Sequence, residues 1–159
     1  MKIRSSALGF TLMELILVIV LLSILSLFAA SHFMGSSSFS AYTLQERVIS
    51  VIRQVQVNRM QSNVASPDNN FRLQVSSSCV GSVAACALTG STQDARSDVV
   101  IDKSAKFSVI SGAANTINFN LLGNPVSGAV NILIEDKHGR SRCQVEINSQ
   151  GYVSKGTCS

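Results

Sequence analysis

An apolar run near the start of the chain constrains its fold more than any other feature. Residues 10–30 contain only four residues that are not apolar: Thr11, Glu14, Ser23 and Ser26. As an α-helix this run would extend roughly 31 Å, about the thickness of a bilayer's hydrocarbon core. The sequence therefore predicts a helix over residues 10–30 that is long enough to span a membrane.

The charges before this run predict its orientation. Residues 1–9 carry Lys2 and Arg4 and no acidic residue. Positively charged flanks stay on the cytoplasmic side of a membrane, so the N-terminus is expected inside and the C-terminal part outside. The globular part of the chain is then an exported domain.

Glu14 is the residue that a plain membrane anchor does not explain. An ionisable side chain costs about 2.5–3.5 kcal/mol at the centre of a membrane helix, and such residues usually have a partner. Because Glu14 lies about one turn inside the apolar run, it can extend its carboxylate to the interface. The alternative interpretation is a cationic partner for Glu14.

These residues carry a family resemblance. The order Gly9-Phe10-Thr11-Leu12-Met13-Glu14, after a short basic leader and before an apolar helix, resembles the class III leader of type IV pilins and pseudopilins. The resemblance implies that a prepilin peptidase cuts after Gly9 and that the new N-terminal residue, Phe10, is N-methylated. It also implies an inner-membrane precursor that later joins other pilins in an extracellular or periplasmic filament.

The chemistry of the leader agrees with that implication. A cut before the apolar run leaves the helix on the mature protein, where it can pack against copies of itself. The α-amino group of Phe10 in one subunit would then pair with Glu14 of its neighbour and set the axial register. The competing interpretation is a secretory signal peptide cut near Ala29-Ala30-Ser31, but a run of this length containing a glutamate is a poor signal sequence.

Composition excludes several classes of function. The net charge is +4, and it becomes +2 without Lys2 and Arg4, which is too small to indicate a nucleic-acid partner. The sequence contains no nucleophile elbow, zinc motif or phosphate-binding loop, and its histidines, His32 and His138, are far apart. We therefore expect no enzymatic activity, no cofactor and no metal.

All four cysteines follow the apolar run, on the side predicted to be exported. An even number of cysteines in an oxidising compartment predicts disulfides, for which three connectivities exist. Proximity in sequence favours Cys79–Cys86 and Cys143–Cys158. The second pair resembles the disulfide-bounded C-terminal region of many pilins.

Residues 31–63 are expected to continue the N-terminal helix as an amphipathic segment. Apolar residues recur every three or four positions from residue 39 to about Ser62, at Leu44, Val48, Val51, Ile52 and Val55. Gly35 and the serines after it weaken helix propensity, so a bend is expected near residues 35–38. The apolar stripe must pack on the domain that follows.

Residues 64–159 are predicted to form an antiparallel sheet. The segment Ser66-Pro67-Asp68-Asn69-Asn70 is expected to stop the helix and turn the chain. Residues 75–104, rich in Ser, Gly, Ala and Thr, are expected to be a loop stapled by a disulfide. Alternating patterns predict strands at 71–75, 106–110, 116–121, 129–136 and 142–148, a hairpin turn at 137–140, another turn at 150–151 and a short last strand at 152–153.

The C-terminal half carries a second resemblance. Its strand, glycine turn, paired strands and closing Gly151-Tyr152-Val153 are similar to the domain of the GspH and FimT group of minor pilins and pseudopilins. Together the two resemblances imply an α+β type IV pilin fold. The implied fold begins with a leader (1–9), which is followed by a long helix. The first half of this helix (10–30) is the transmembrane and filament-core segment. Its second half (31–63) is amphipathic and packs on the antiparallel sheet domain (64–159).

The function implied is that of a structural subunit, expected to be a minor pilin, of a filament that serves adhesion or pilus biogenesis. One alternative is a type II secretion pseudopilin of the GspH kind. Another is a DNA-binding competence pilin, because Gly139-Arg140-Ser141-Arg142 resembles a motif through which some FimT-type pilins are thought to bind DNA. Glu135 and Asp136 lie just before it and no aromatic residues interleave with it, so a solvated turn is the simpler interpretation.

Overall fold

The computed structural model describes residues 11–33, 40–112 and 114–159. These residues belong to two units, one within residues 1–36 and the other within residues 37–159. The predicted bend at residues 35–38, and with it the continuity of the long helix, lies outside the described residues.

The first unit is a helix, α1 (Leu12–Phe33). Thr11 begins it: its carbonyl accepts from the amides of Glu14 and Leu15, and its Oγ1 accepts from the Glu14 amide at 3.3 Å. A threonine that satisfies a free amide of the first turn is a helix N-cap. Within the described ranges, no helix combines the length and the apolar character needed to cross a membrane.

The second unit is an α+β domain built on one long helix, α2, and two antiparallel sheets. In chain order its elements are α2 (Ser40–Gln61), β1 (Arg72–Val75), β2 (Cys79–Ser82), α3 (Val83–Cys86), α4 (Ser91–Asp94), β3 (Val99–Ile101), β4 (Ala105–Ser111), β5 (Thr116–Asn118), β6 (Val130–Asp136), β7 (Arg142–Ile147) and β8 (Val153–Cys158).

The apolar stripe predicted on α2 is confirmed. Leu44, Val48, Val51, Ile52 and Val55 are all buried, and α2 contacts strands of both sheets. Burying a Val, Leu or Ile side chain contributes about 1.5–3 kcal/mol, so this face holds the helix on the domain.

The end of α2 lies one residue before the position near Ser62 that the apolar pattern predicts. The helix stops at Gln61, and Asn63 adopts a left-handed backbone conformation with φ of 48°. Asparagine tolerates this conformation better than most residues, and a left-handed residue just past the last turn ends a helix. Asn63 thus ends α2 before the segment Ser66–Asn70 is reached.

The prediction of one sheet with a loop at residues 75–104 was wrong in part. The first sheet has the order β3-β2-β1-β5 and the second β4-β6-β7-β8, each with antiparallel pairs. Residues 79–82 and 99–101, assigned to the loop, supply two strands of the first sheet. These strands have only four and three residues, so local periodicity did not reveal them.

The hairpin predicted around residues 137–140 is confirmed. β6 and β7 pair in register, with Ile134 opposite Cys143 and Glu135 opposite Arg142. Gly139 at the tip has φ of 68°, a conformation that glycine adopts without steric cost. The last strand, β8, is longer than predicted and pairs with β7 up to Cys158.

Candidate functional site

Residues 12–26 of α1 present apolar side chains on every side of the helix. Its apolar side chains from Leu12 to Leu25 are all at least 45% exposed. Ser23 and Ser26 donate their hydroxyls to the carbonyls of Ile19 and Leu22, both at 2.7 Å. These hydroxyls are therefore satisfied inside the helix and would not oppose its burial in an apolar environment.

Glu14 differs from Ser23 and Ser26, the other polar residues whose side chains are described in α1. Its amide is bonded to Thr11, but within the described residues its carboxylate has no hydrogen bond or ion pair. The carboxylate lies in the first turn, where the helix dipole favours a negative charge. If α1 is buried among apolar surfaces, this carboxylate is the one side-chain group of residues 12–26 that requires a partner from outside the helix.

Two residues of the predicted processing site, Gly9 and Phe10, lie outside the described residues. The predicted core helix also includes residues 27–30, whose side chains are not described. The cleavage, the methylation and the pairing of Phe10 with Glu14 remain predictions from the sequence.

Both predicted disulfides are present, and together they use all four cysteines. Cys79–Cys86 joins β2 to the end of α3, and Cys143–Cys158 joins the facing strands β7 and β8. In the parts of the chain that are described, no group of three or more His, Cys, Asp or Glu residues could hold a metal ion.

The two arginines of the hairpin differ in their surroundings. Arg140 is exposed in the turn, whereas Arg142 Nη2 lies 2.7 Å from Glu135 Oε1 on the neighbouring strand. This ion pair offsets the charge that Arg142 would offer to a phosphate. The hairpin brings both predicted DNA contacts together, but one of them is already paired.

Three polar residues of α2 have a role that the sequence analysis missed. Gln45, Gln56 and Arg59 are each at most 6% exposed. Gln45 donates to the carbonyls of Gln144 and Gly156, where the register of β7 and β8 shifts. These side chains serve backbone groups that the sheets leave without a partner.

Gln56 and Arg59 hold the irregular segments near the end of α2. Gln56 Nε2 donates to the carbonyls of Gly123 and Gly151 at 2.9 and 2.8 Å, so it joins two separate turns. Arg59 donates to the carbonyls of Phe119, Val64 and Ala65 and to the Ser62 hydroxyl. Their positions in the sequence could have indicated this burial, because they lie on the same face of the helix as Val48, Ile52 and Val55.

An ion pair fixes the segment that precedes β3. Arg96 Nε and Nη2 donate to the two carboxylate oxygens of Asp98 at 2.8 and 2.7 Å, and Asp98 is only 5% exposed. Burial favours a higher pKa for Asp98, but the hydrogen bonds from Arg96 and Ser82 and the arginine's charge outweigh it, so the pKa lies below its ordinary value. The hydrogen bond to Asp98 raises the pKa of Arg96 despite its partial desolvation.

Known proteins are similar to this chain in structure and not in sequence. No protein-family model matches the chain, and no curated protein sequence matches it. Two crystal structures of the Pseudomonas aeruginosa type IV minor pilin FimU are similar to it in fold. One has a TM-score of 0.48 at 9% identity, covering 73% of this chain and 92% of that one. The other has a TM-score of 0.49 at 9% identity, covering 77% and 92%. Scores below 0.5 at this identity establish neither a family nor a function for this chain.

Proposed function

We propose that this chain is a structural subunit of a type IV pilus-like filament, processed by a prepilin peptidase and assembled through its N-terminal helix. The observation that carries the proposal is the surface of α1. The described apolar side chains of residues 12–26 are exposed on all faces of the helix, and the hydroxyls of Ser23 and Ser26 are satisfied within it. Among the polar side chains of residues 12–26, Glu14 alone lacks a partner within the described residues. An exposed apolar surface of this extent indicates a binding partner or a membrane.

Assembly meets each of these requirements. Packing α1 against copies of itself covers the apolar side chains, and a cation from the neighbouring subunit compensates Glu14. The α-amino group of Phe10 is that cation, because cleavage after Gly9 creates it four residues before Glu14. In an apolar core an unpaired carboxylate is costly, so the pair would permit one axial register and oppose others.

The disulfides and core of the globular domain suit an exported subunit. Two disulfides are typical of an oxidising compartment, and α2 and both sheets share one hydrophobic core. The domain would face outward from the filament or lie at its tip. The role as a minor subunit, and the similarity of the C-terminal half to the minor pilin of the mannose-sensitive haemagglutinin system, rest on the sequence alone.

Before assembly, residues 10–30 would anchor the precursor in the inner membrane with the domain outside. Extraction of the precursor's membrane fraction with alkaline carbonate tests this step. Retention in the membrane pellet supports the anchor, and release into the supernatant contradicts it.

The assembly step is tested by substitution at Glu14. Glu14→Gln keeps the shape of the side chain but removes the charge, so we expect normal cleavage and at least a tenfold loss of the subunit from sheared filaments. Glu46→Gln is the matched control, because Glu46 forms an exposed ion pair with Lys155 of the kind that contributes little. Equal incorporation of the Glu14→Gln subunit and the parent would overturn the proposal.

The pseudopilin alternative shares the helix and the processing, and it differs in the machine that the subunit serves. Deletion of the chain distinguishes the two. Loss of surface pili with normal protein secretion supports the pilus, and loss of secretion with normal pili supports the pseudopilus.

A further inference from the structure

A cleft lies between α2 and the segment that leads from α4 into β3. Its volume is about 240 Å³, and its polar walls come from Arg47, Ser50, Arg96 and Ser97. A smaller cavity of about 120 Å³ adjoins it and shares both arginines. Drug-sized ligands occupy sites of roughly 300–1,000 Å³, so this cleft suits a small ion or a single functional group.

The base of the cleft is apolar. Val51, Val99 and Val100 line it and are at most 9% exposed. A charged group above an apolar base is less screened than one on an open surface, because the effective dielectric constant is lower. An ion seated there would interact with the arginines more strongly than with arginines on a convex surface.

Hydrogen bonds at the edges of the cleft connect its walls and hold Arg96. Gln54 Nε2 donates to Ser97 Oγ at 2.8 Å, which joins α2 to the opposite wall. Arg96 is held by its two-point contact with Asp98 through Nε and Nη2. The contacts recorded for Arg96 leave its Nη1 protons for another acceptor.

Arg47 supplies a charge without a partner. It is exposed, and within the described residues it forms no ion pair or hydrogen bond through its side chain. Ser50 and Gln54 follow it by three and seven positions, so the three side chains lie along one stripe of α2 that faces the cleft. The arrangement places an unpaired guanidinium beside two hydroxyls, those of Ser50 and Ser97.

We propose that this cleft binds a small oxyanion, a carboxylate or phosphate group, through Arg47 with Ser50 and Ser97 as neighbouring donors. A guanidinium matches the planar or tetrahedral oxygens of such groups with two parallel hydrogen bonds. The role is separate from filament assembly through α1, since every lining residue belongs to the domain.

Asp94 is the competing acid within the chain. It is exposed and lines the smaller cavity with Arg47 and Arg96, yet within the described residues it forms no ion pair with either. Its negative charge would repel an incoming anion. Removing that charge should therefore strengthen binding, whereas removing Arg47 should weaken it.

Isothermal titration calorimetry of the full-length chain in a nonionic detergent tests the site, with glutarate and inorganic phosphate as probes at fixed ionic strength. We expect saturable binding of at least one probe at one site per chain. Arg47→Gln should weaken it about tenfold, or about 1.4 kcal/mol, and Asp94→Asn should strengthen it two- to threefold. Binding of glutarate alone identifies a carboxylate as the ligand group, and binding of phosphate alone identifies an inorganic oxyanion.

Arg53→Gln is the matched control, because Arg53 is exposed on the same helix as Arg47 and does not line the cleft. The control should bind like the parent chain. No saturable binding of either probe up to 20 mM, an unchanged affinity in Arg47→Gln, or an equal loss in Arg53→Gln would each overturn the proposal. None of these results bears on assembly of the filament through Glu14.

Discussion

Replacing Arg59 with methionine should destabilise the domain by about 3 kcal/mol. The substitution keeps an unbranched apolar stem but removes four hydrogen bonds, three of them to backbone carbonyls. A buried acceptor that loses its donor costs about 1–3 kcal/mol, and the partly buried acceptors cost less because water can reach them. Removing a buried charge recovers some desolvation energy, which keeps the sum near 3 kcal/mol.

Arg53→Met on the same helix is the control. Arg53 is exposed and makes one recorded hydrogen bond, to the Val153 carbonyl at 2.9 Å, so we expect a loss within about 1 kcal/mol. The two variants share the substitution, the helix and the change of charge. The difference between them therefore measures the buried contacts of Arg59.

Thermal unfolding followed by circular dichroism measures the effect. For a chain of this size, 1 kcal/mol shifts the melting temperature by about 2–4 °C. Arg59→Met should then melt roughly 6–12 °C lower than the parent, and Arg53→Met no more than about 4 °C lower. Equal shifts in the two variants would show that Arg59 does not hold the irregular segments as described.

Three further predictions concern the disulfides, the buried ion pair and the hairpin. Replacing both cysteines of Cys143–Cys158 with serine should lower the free energy of unfolding by about 3 kcal/mol, and the same change at Cys79–Cys86 by about 2.4 kcal/mol, because the closed loops span 15 and 7 residues. Urea denaturation measures both losses. A larger loss for the shorter loop would contradict this estimate. The pKa of Asp98 is lower in the folded chain than in the unfolded chain, so its contribution to stability is complete above about pH 5 and is lost as the pH falls below about 4. Between pH 6 and pH 2 the parent should therefore lose more stability than Asp98→Asn, and parallel losses would contradict the assignment. Changing Arg140 and Arg142 to alanine should leave filament incorporation and DNA retention unchanged, and a loss of retention at low salt would favour the competence-pilin alternative.

The elements with a clear local pattern were predictable from the sequence. The stripe on α2 repeats at helical spacing, so its buried residues from Leu44 to Val55 could be named in advance. The hairpin of β6 and β7 was equally clear, because alternating residues flank Lys137-His138-Gly139-Arg140 on both sides. In each case the sequence neighbours are also the structural neighbours.

The first sheet was harder to predict because two of the pairings described in it, β1 with β5 and β2 with β3, join strands that are distant in sequence. Gly81 lies opposite Val99, eighteen positions later, and β1 pairs with both β2 and the distant β5. Strands of three or four residues show too few alternations to separate them from a loop. Their place in a sheet depends on tertiary contacts that periodicity does not encode.

The buried polar residues were missed for a related reason. Gln45, Gln56 and Arg59 have the composition of a solvated face, and their burial follows from where bulges and turns expose backbone carbonyls. The cleft beside Arg47 depends in the same way on the approach of residues 93–100 to α2, which no local pattern indicates. The processing site, in contrast, is predicted by a sequence motif at Gly9 and Phe10, and these residues lie outside the described part of the chain.

Mass spectrometry of the N-terminus of the mature protein tests the central claim most directly. A prepilin that joins a filament should begin at Phe10, carry one methyl group on its α-amino nitrogen and retain the whole apolar helix. A mature protein that begins at His32 would show that the apolar run is removed as a signal peptide, and it would contradict the account of assembly through Glu14.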